Sequence, residues 1–374
     1  MNQIPATLAT LALTLAASGC IRPEAPNAEA DILTAQIEGI ELIRPSAVTN
    51  DKVTFYANPW EDLTALAPVF TLTPGAKIEP ASGSKQDFTR PVTYTVTSED
   101  GKWTKDYTVT VSVPESMKKT VYSFEDTKLQ DKKFHIFLIK NASGDVTGEW
   151  VSSNLGYAIG AEVGILPGKP DDYPATQVED GYKGKALQLA TRSIKPLADA
   201  FGSFMKVPLL AAGSLYLGKL NTGLLMKDAL KATEFGIPVF QKPLMMTGYY
   251  KYTPGDQMID EKGNNQGGQD LFDIYAIVYE VTPDVPFLDG TNNLTSDNLV
   301  MIARIADPDR KPATEWTRFE IPFKTLEGKT LDPVKLAKGQ YNYSVVFSSS
   351  KDGARFIGAP GSTLTVDEVE VYFE

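Results

Sequence analysis

Residues 93–113 read TYTVTSEDGKWTKDYTVTVSV: two runs of alternating β-branched and aromatic residues, joined by polar residues around Asp100-Gly101. Alternation with a period of two puts every second side chain on one face of a strand, and Asp-Gly supplies the turn, so the stretch predicts a β-hairpin. The same pattern extends outward. Val53, Phe55 and Ala57 alternate with Thr54, Tyr56 and Asn58, and Val92, Tyr94 and Val96 alternate with Thr93, Thr95 and Thr97. About seven short strands over residues 31–116 predict an immunoglobulin-like sandwich, with Trp60 and Trp103 buried in it and contact with a ligand as the alternative.

The rest of the chain is also all-β in pattern. It has 374 residues, with 29 Gly and 25 Pro punctuating strand-favouring stretches, which is room for two domains. Strands are expected at Thr120–Phe124, Lys185–Ala190, Met245–Tyr252, Leu271–Thr282, Leu299–Ile305, Thr317–Phe323, Tyr341–Ser349 and Leu364–Phe373, with a helix at Leu224–Phe235. In LFDIYAIVYEVT, Phe272, Ile274, Ala276 and Val278 share one face; Asp273, Tyr275, Ile277 and Tyr279 share the other. This layout predicts a jelly-roll β-sandwich over residues 117–374, following the smaller sandwich.

A formal net charge of −11 without a Lys/Arg cluster argues against nucleic acid and against basic adsorption to anionic lipid. The one Cys forbids an internal disulfide, and one His with one Cys leaves zinc little to bind. His135, in KKFHIFLIK, alternates with Phe134 and Ile136 and reads as a strand-face residue. There is neither a Gly-x-Ser-x-Gly elbow nor a phosphate-binding Gly-x-x-x-x-Gly-Lys loop.

Residues 1–20, MNQIPATLATLALTLAASGC, carry an apolar run too short to span a bilayer, then small residues up to Cys20. The stretch resembles a bacterial lipoprotein signal peptide. That resemblance implies acylation of Cys20, a lipid-bilayer anchor and an outer-membrane location, periplasmic or surface-facing. A plain secretory signal beside a chance cysteine is the alternative. Residues 21–30, IRPEAPNAEA, read as a linker.

FTLTPGAKIEPASGSKQDF at 70–88 and PVTYTVTSEDG at 91–101 resemble the Ig-like modules that follow the anchor in glycan-harvesting lipoproteins. SFED at 123–126, GYKGKALQL at 181–189, AAGSLYLGKL at 211–220, GYYKYTPG at 248–255, DIYAIVYE at 273–280 and SSSKDGARFIGAPGSTLTVDEVEV at 348–371 occur in that order. Together they resemble the Putative carbohydrate metabolism domain family. The resemblance implies a glycan partner more than it implies a reaction.

Sugars stack their C–H faces on aromatic rings and offer hydroxyls to polar tips, which Tyr supplies. Tyr250 and Tyr252 share a strand face, with Tyr249 and Lys251 on the other; Tyr275, Tyr279 and Asp273 share a face of a later strand. If both strands lie in one sheet, Tyr250, Tyr252, Tyr275, Tyr279 and Asp273 form a sugar-binding surface. Packing between sheets is the alternative. Glu125, Asp126 and Asp367 sit where calcium-bearing carbohydrate-binding jelly rolls place shared acids, making calcium a candidate cofactor. Asp256, Asp260 and Glu261 read as a solvated loop, and the Ser348–Ser362 stretch as a structural turn. Non-catalytic glycan binding is the first reading. A glycosidase or lyase with paired carboxylates, and a strand-exchanging assembly protein, are the alternatives.

Overall fold

A computed structural model describes residues 25–114, 117–141, 143–202, 207–225 and 227–374, so Cys20 lies outside the described residues. The chain divides into two compact units, Met1–Pro114 and Glu115–Glu374. Strand dominates both, and the fold is all-β.

In the first unit, the hairpin at 93–113 forms as strands Val92–Thr97 and Thr104–Ser112, paired antiparallel with Tyr94 opposite Tyr107. They belong to a five-stranded sheet, and Ile32–Ile37 pairs with Pro68–Leu72 in a two-stranded one. Every second residue is driven inward: Val53, Phe55, Tyr94, Val96, Tyr107 and Val109 make the core. Tyr107 brings its hydroxyl in by donating to Asp31 Oδ1 (3.0 Å) and accepting from Ile32 N–H (3.1 Å). The Lys105 ammonium beside Asp31 (2.6 Å) and the Tyr107 hydroxyl hold the Asp31 carboxyl below its usual range. The two tryptophans correct the sequence reading. Trp103 is 62% exposed because it falls in the hairpin connection before Thr104–Ser112 begins, and Trp60 is only half-buried.

The second unit is a two-sheet sandwich. One sheet runs Ala175–Val178, Ala186–Ala190, Thr363–Phe373, Pro243–Thr253, Ala313–Pro322, with Lys118–Tyr122 also paired to Thr363–Phe373. The other runs Val151–Ser152, Ser214–Tyr216, Tyr341–Ser348, Asp273–Glu280, Leu299–Arg304, Lys324–Thr325, with Ile237–Val239 also paired to Tyr341–Ser348. Between them pack Met246, Tyr250 and Tyr252 from the first sheet against Ile274, Ala276 and Val278 from the second, with Phe272 just ahead of the strand. The predicted alternation in Asp273–Glu280 is present, but both faces are covered. Tyr275, Ile277 and Tyr279 face a second cluster with Phe235 and Leu288.

That cluster explains a correction. Among the described residues, Leu224–Phe235 does not form the expected helix: Thr222–Leu225 is helical, and Thr233–Phe235 is a strand paired to Gly218–Leu220. The chain turns back so that Phe235 can cover Tyr279, whose hydroxyl donates to Phe235 O (2.5 Å). Three helices were not anticipated: Asn154–Glu162, Lys195–Phe201 and Pro333–Ala337. The turn after Tyr341–Ser348 is fastened internally. Buried Asp270 accepts from Ser350 Oγ (2.6 Å), Ser362 Oγ (2.7 Å) and Ala359 N–H (2.7 Å), and burial pushes its carboxyl up.

Candidate functional site

The outer face of the sheet containing Pro243–Thr253 is set by the parity of that strand. Met246, Gly248, Tyr250 and Tyr252 point inward, and at Gly248 a Cβ would meet the Phe319 ring at 2.7 Å, so only Gly fits there. Tyr249 and Lys251 therefore point outward. The neighbouring strand Thr363–Phe373 changes parity midway. Leu364 and Val366 are inward before Asp367-Glu368, and Val369 and Val371 after, with Glu368 at φ 47°. This is a β-bulge, and it aims Asp367 at the loop Gly181–Lys185.

The loop is clamped from two sides. Asp367 Oδ2 accepts from Lys183 N–H (2.9 Å), and Glu125 Oε1 accepts from Lys185 N–H (2.9 Å). Gly184 holds φ 69°, and a Cβ there would lie 2.1 Å from Glu125 Oε1. Asp367 is fully buried, and burial pushes its carboxyl up to about 6 despite the two amides it accepts from.

What the clamp presents is Tyr182. Its ring, in a residue 48% exposed, stacks on Tyr249 with centroids 3.6 Å apart and planes at 9°. Trp316, from Ala313–Pro322, meets Tyr182 edge-on at 6.2 Å. Lys251 Nζ lies 4.8 Å from the Trp316 ring centroid and 3.4 Å from the Asp180 carboxylate. Aromatic surface, a cation and an acid thus adjoin on one open sheet face. Around the edge of the same sheet, a cleft of about 480 Å³ is lined from both sheets, with Tyr250, Phe319 and Ile321 among its apolar walls and Asp309 and Glu320 among its polar ones.

The residues singled out from sequence are not brought together. Tyr250 and Tyr252 pack on Phe272 between the sheets, at 4.7 and 4.8 Å. Tyr275 and Tyr279 belong to the other sheet and to its far face. Asp273 is buried in ion pairs with Arg304 and Arg310, both at 2.7 Å. Buried rings have no face free for a sugar, so the proposed Tyr/Asp surface is withdrawn. Of the two faces of Pro243–Thr253, the one carrying Tyr250 and Tyr252 is the buried one. The signal was Lys251: lysine is almost never buried unpaired, so the tyrosine sharing its parity, Tyr249, must face water. Tyr182 and Trp316 lie in a loop and on another strand, beyond the reach of strand periodicity.

Of the calcium candidates, Glu125 and Asp367 close on the same loop, and Asp126 turns away from them to a lysine. Asp126 pairs with Lys140 (2.6 Å), while Glu125 and Asp367 spend oxygens on loop amides. Among the described residues no group of three or more His, Cys, Asp or Glu gathers around a possible metal position. Asp260 fastens its own loop, accepting from Lys262 and Asn264 N–H (both 2.9 Å). His135 lies on strand Phe134–Lys140, half-buried, and burial lowers its affinity for a proton.

A two-sheet antiparallel sandwich with aromatic rings, a cation and an acid on its open sheet face defines the second unit as a β-sandwich. The chain belongs to the Putative carbohydrate metabolism domain family, whose model matches residues 123–372. Residues 32–111 match the model described as SGBP, N-terminal. A crystal structure described as a putative glycoside hydrolase from Bacteroides thetaiotaomicron is 46% identical, covers 94% of this chain and 99% of its own, and has a TM-score of 0.62. Another so described, from Bacteroides vulgatus, is 40% identical, covers 67% and 96%, and has a TM-score of 0.59. No curated protein matches the chain.

Proposed function

We propose that this protein is a cell-envelope lipoprotein that binds a glycan on the sheet face formed by Tyr182, Tyr249 and Trp316. The observation that carries the reading is the clamped aromatic cluster, with Tyr182 exposed and Tyr249 and Trp316 half-buried, and with Lys251 and Asp180 beside it. Sugar C–H faces stack on such rings, and the flanking charges suit hydroxyls. Membership of a carbohydrate domain family supports the ligand class. Because these rings lie outside the core, Tyr249→Ala with Trp316→Ala should reduce affinity for a glycan-array hit about 10- to 100-fold while the thermal midpoint barely moves. Unchanged affinity in that variant sinks the reading.

Hydrolysis is the second reading. Asp309 and Glu320 line one cleft, and a glycosidase needs a pair of carboxylates on either side of the bond it cuts. Both are exposed, and Glu320 is paired to Arg318. Scoring the same glycan hits for new reducing ends separates the two readings. Cleavage that disappears in Asp309→Asn or Glu320→Gln makes the protein an enzyme.

A further inference from the structure

The acidity of this chain is unevenly placed. Against a formal net charge of −11, the cleft at the sheet edge is lined by Arg304, Lys311, Arg318 and Lys324 and by only two carboxylates, Asp309 and Glu320. The layer behind it is also cation-rich. Asp273 is gripped by Arg304 through Nε (3.0 Å) and by Arg310 (2.7 Å); Asp307 is gripped by Arg310 and by Lys351 (2.8 Å). Three cations therefore share two carboxylates. Arg310 is buried, and its Nε has no hydrogen-bond partner. At the mouth, Arg318 pairs with Glu320, but Lys311 and Lys324 are exposed and form no ion pair among the described residues. Positive charge that the protein leaves uncompensated, in a cleft with apolar walls, focuses a field that draws in an anion.

The cleft and the aromatic face meet on one strand. Arg318 follows Trp316 by two residues, so both side chains take the same side of Ala313–Pro322, and Arg318 is the ladder partner of Tyr249. A chain-like ligand stacked on Tyr249 and Trp316 thus runs past Arg318 into the cleft.

We infer that the glycan is an acidic polysaccharide, whose carboxylate or sulfate groups enter the cleft beside Lys311 and Lys324 while neutral ring faces stack on the aromatic residues. The inference rests on the glycan-binding reading and specifies its substrate class. Oxygen anions of either kind fit charge-assisted hydrogen bonds from ammonium and guanidinium groups.

The test is affinity of the full chain for polygalacturonate, a sulfated galactan and neutral galactan, measured for the wild type and for Lys311→Ala with Lys324→Ala. Both lysines are exposed, so the double variant should keep its thermal midpoint. The wild type should bind at least one anionic polymer about tenfold tighter than neutral galactan, and the double variant should lose about that factor on the anionic polymer alone. Raising the salt should weaken anionic binding in the same selective way. Preference for polygalacturonate assigns carboxylate, preference for the sulfated galactan assigns sulfate, and equal binding to both assigns either anion. Two results overturn the inference: neutral galactan bound as tightly as both anionic polymers, or anionic binding unchanged in the double variant. In both, binding that still depends on Tyr249 and Trp316 leaves the broader glycan reading standing. Binding to none of the three overturns the inference, and an empty glycan array as well would remove the broader reading.

Discussion

Asp367 shows how a single residue ties the site to the stability of the sheet. It is buried at a bulge, and its partners there are amides with no full positive charge. Its carboxyl is therefore raised from 3.8 to about 6. A raised carboxyl binds its proton more tightly in the folded state, so the stabilisation is fully present below about 3.8 and is lost as pH rises through about 6. The shift corresponds to about 3 kcal/mol as an upper figure. Glu368 is raised too, through burial and its acidic neighbours, and adds the same sign. His135, lowered by burial, works in the opposite direction nearby, so the informative measurement is a difference between variants. The midpoint of wild type should fall between about pH 4 and 6.5 relative to Asp367→Asn, measured by thermal melts across that range. Parallel curves for the two proteins would show that Asp367 has the same proton affinity in the folded and unfolded states, and so no shift. None of this was legible in sequence. The position of Asp367 on the last strand suggests a calcium ligand, whereas its parity depends on a bulge that alternation alone cannot reveal.

At the scale of elements, the long strands were legible, whereas short ones such as Thr127–Gln130, Val146–Glu149, Ala175–Val178 and Ser214–Tyr216, and the helices, were not. Asn154–Glu162 reads NLGYAIGAE, with two glycines that depress helix propensity and no side-chain cap from Ser153. One of them, Gly160, is needed because a Cβ there would meet Leu166 at 2.5 Å. Leu224–Phe235 fails in the other direction: its spacing suits a helix, but covering Tyr279 takes precedence. The element that matters most to the site is the Gly181–Lys185 loop. Gly184→Ala would need a side chain at φ 69° and would drive it into Glu125. The expected outcome is a loss of about 1–3 kcal/mol in stability together with weaker glycan binding, since Tyr182 would leave its stack on Tyr249. Denaturant melts and glycan affinity of the same variant check both. A variant with normal stability and normal affinity would show that the clamp is not what positions Tyr182.

For the molecule as a whole, periodicity named the strands in order but could not say which of them share a sheet. Pro243–Thr253 and Asp273–Glu280 look like natural partners, close in sequence and both rich in Tyr, yet they lie in different sheets. Pro243–Thr253 pairs instead with Ala313–Pro322 and Thr363–Phe373, and Asp273–Glu280 with Leu299–Arg304 and Tyr341–Ser348, and alternation carries no information about which strands meet. The sequence also proposes an attachment that lies outside the described residues. If Cys20 carries acyl chains, the wild type should enter the detergent phase in a partitioning assay and Cys20→Ala should stay in the aqueous phase, because about two or more acyl chains make a stable anchor. Identical partitioning of the two proteins would remove the lipid from the proposal.

Thr363–Phe373 sits inside its sheet, hydrogen-bonded to Ala186–Ala190, Pro243–Thr253 and Lys118–Tyr122, with Phe373 opposite Lys118. Residues separated by most of the unit's length thus meet side by side. A ribosome that has not yet delivered residue 363 has made a sheet with its middle missing: Lys118–Tyr122 lacks its partner strand, and the pairs Ala175–Val178 with Ala186–Ala190 and Pro243–Thr253 with Ala313–Pro322 have nothing to join them. The two halves of the sheet are joined only by the last strand to be made, so pairings of high sequence separation close this unit last.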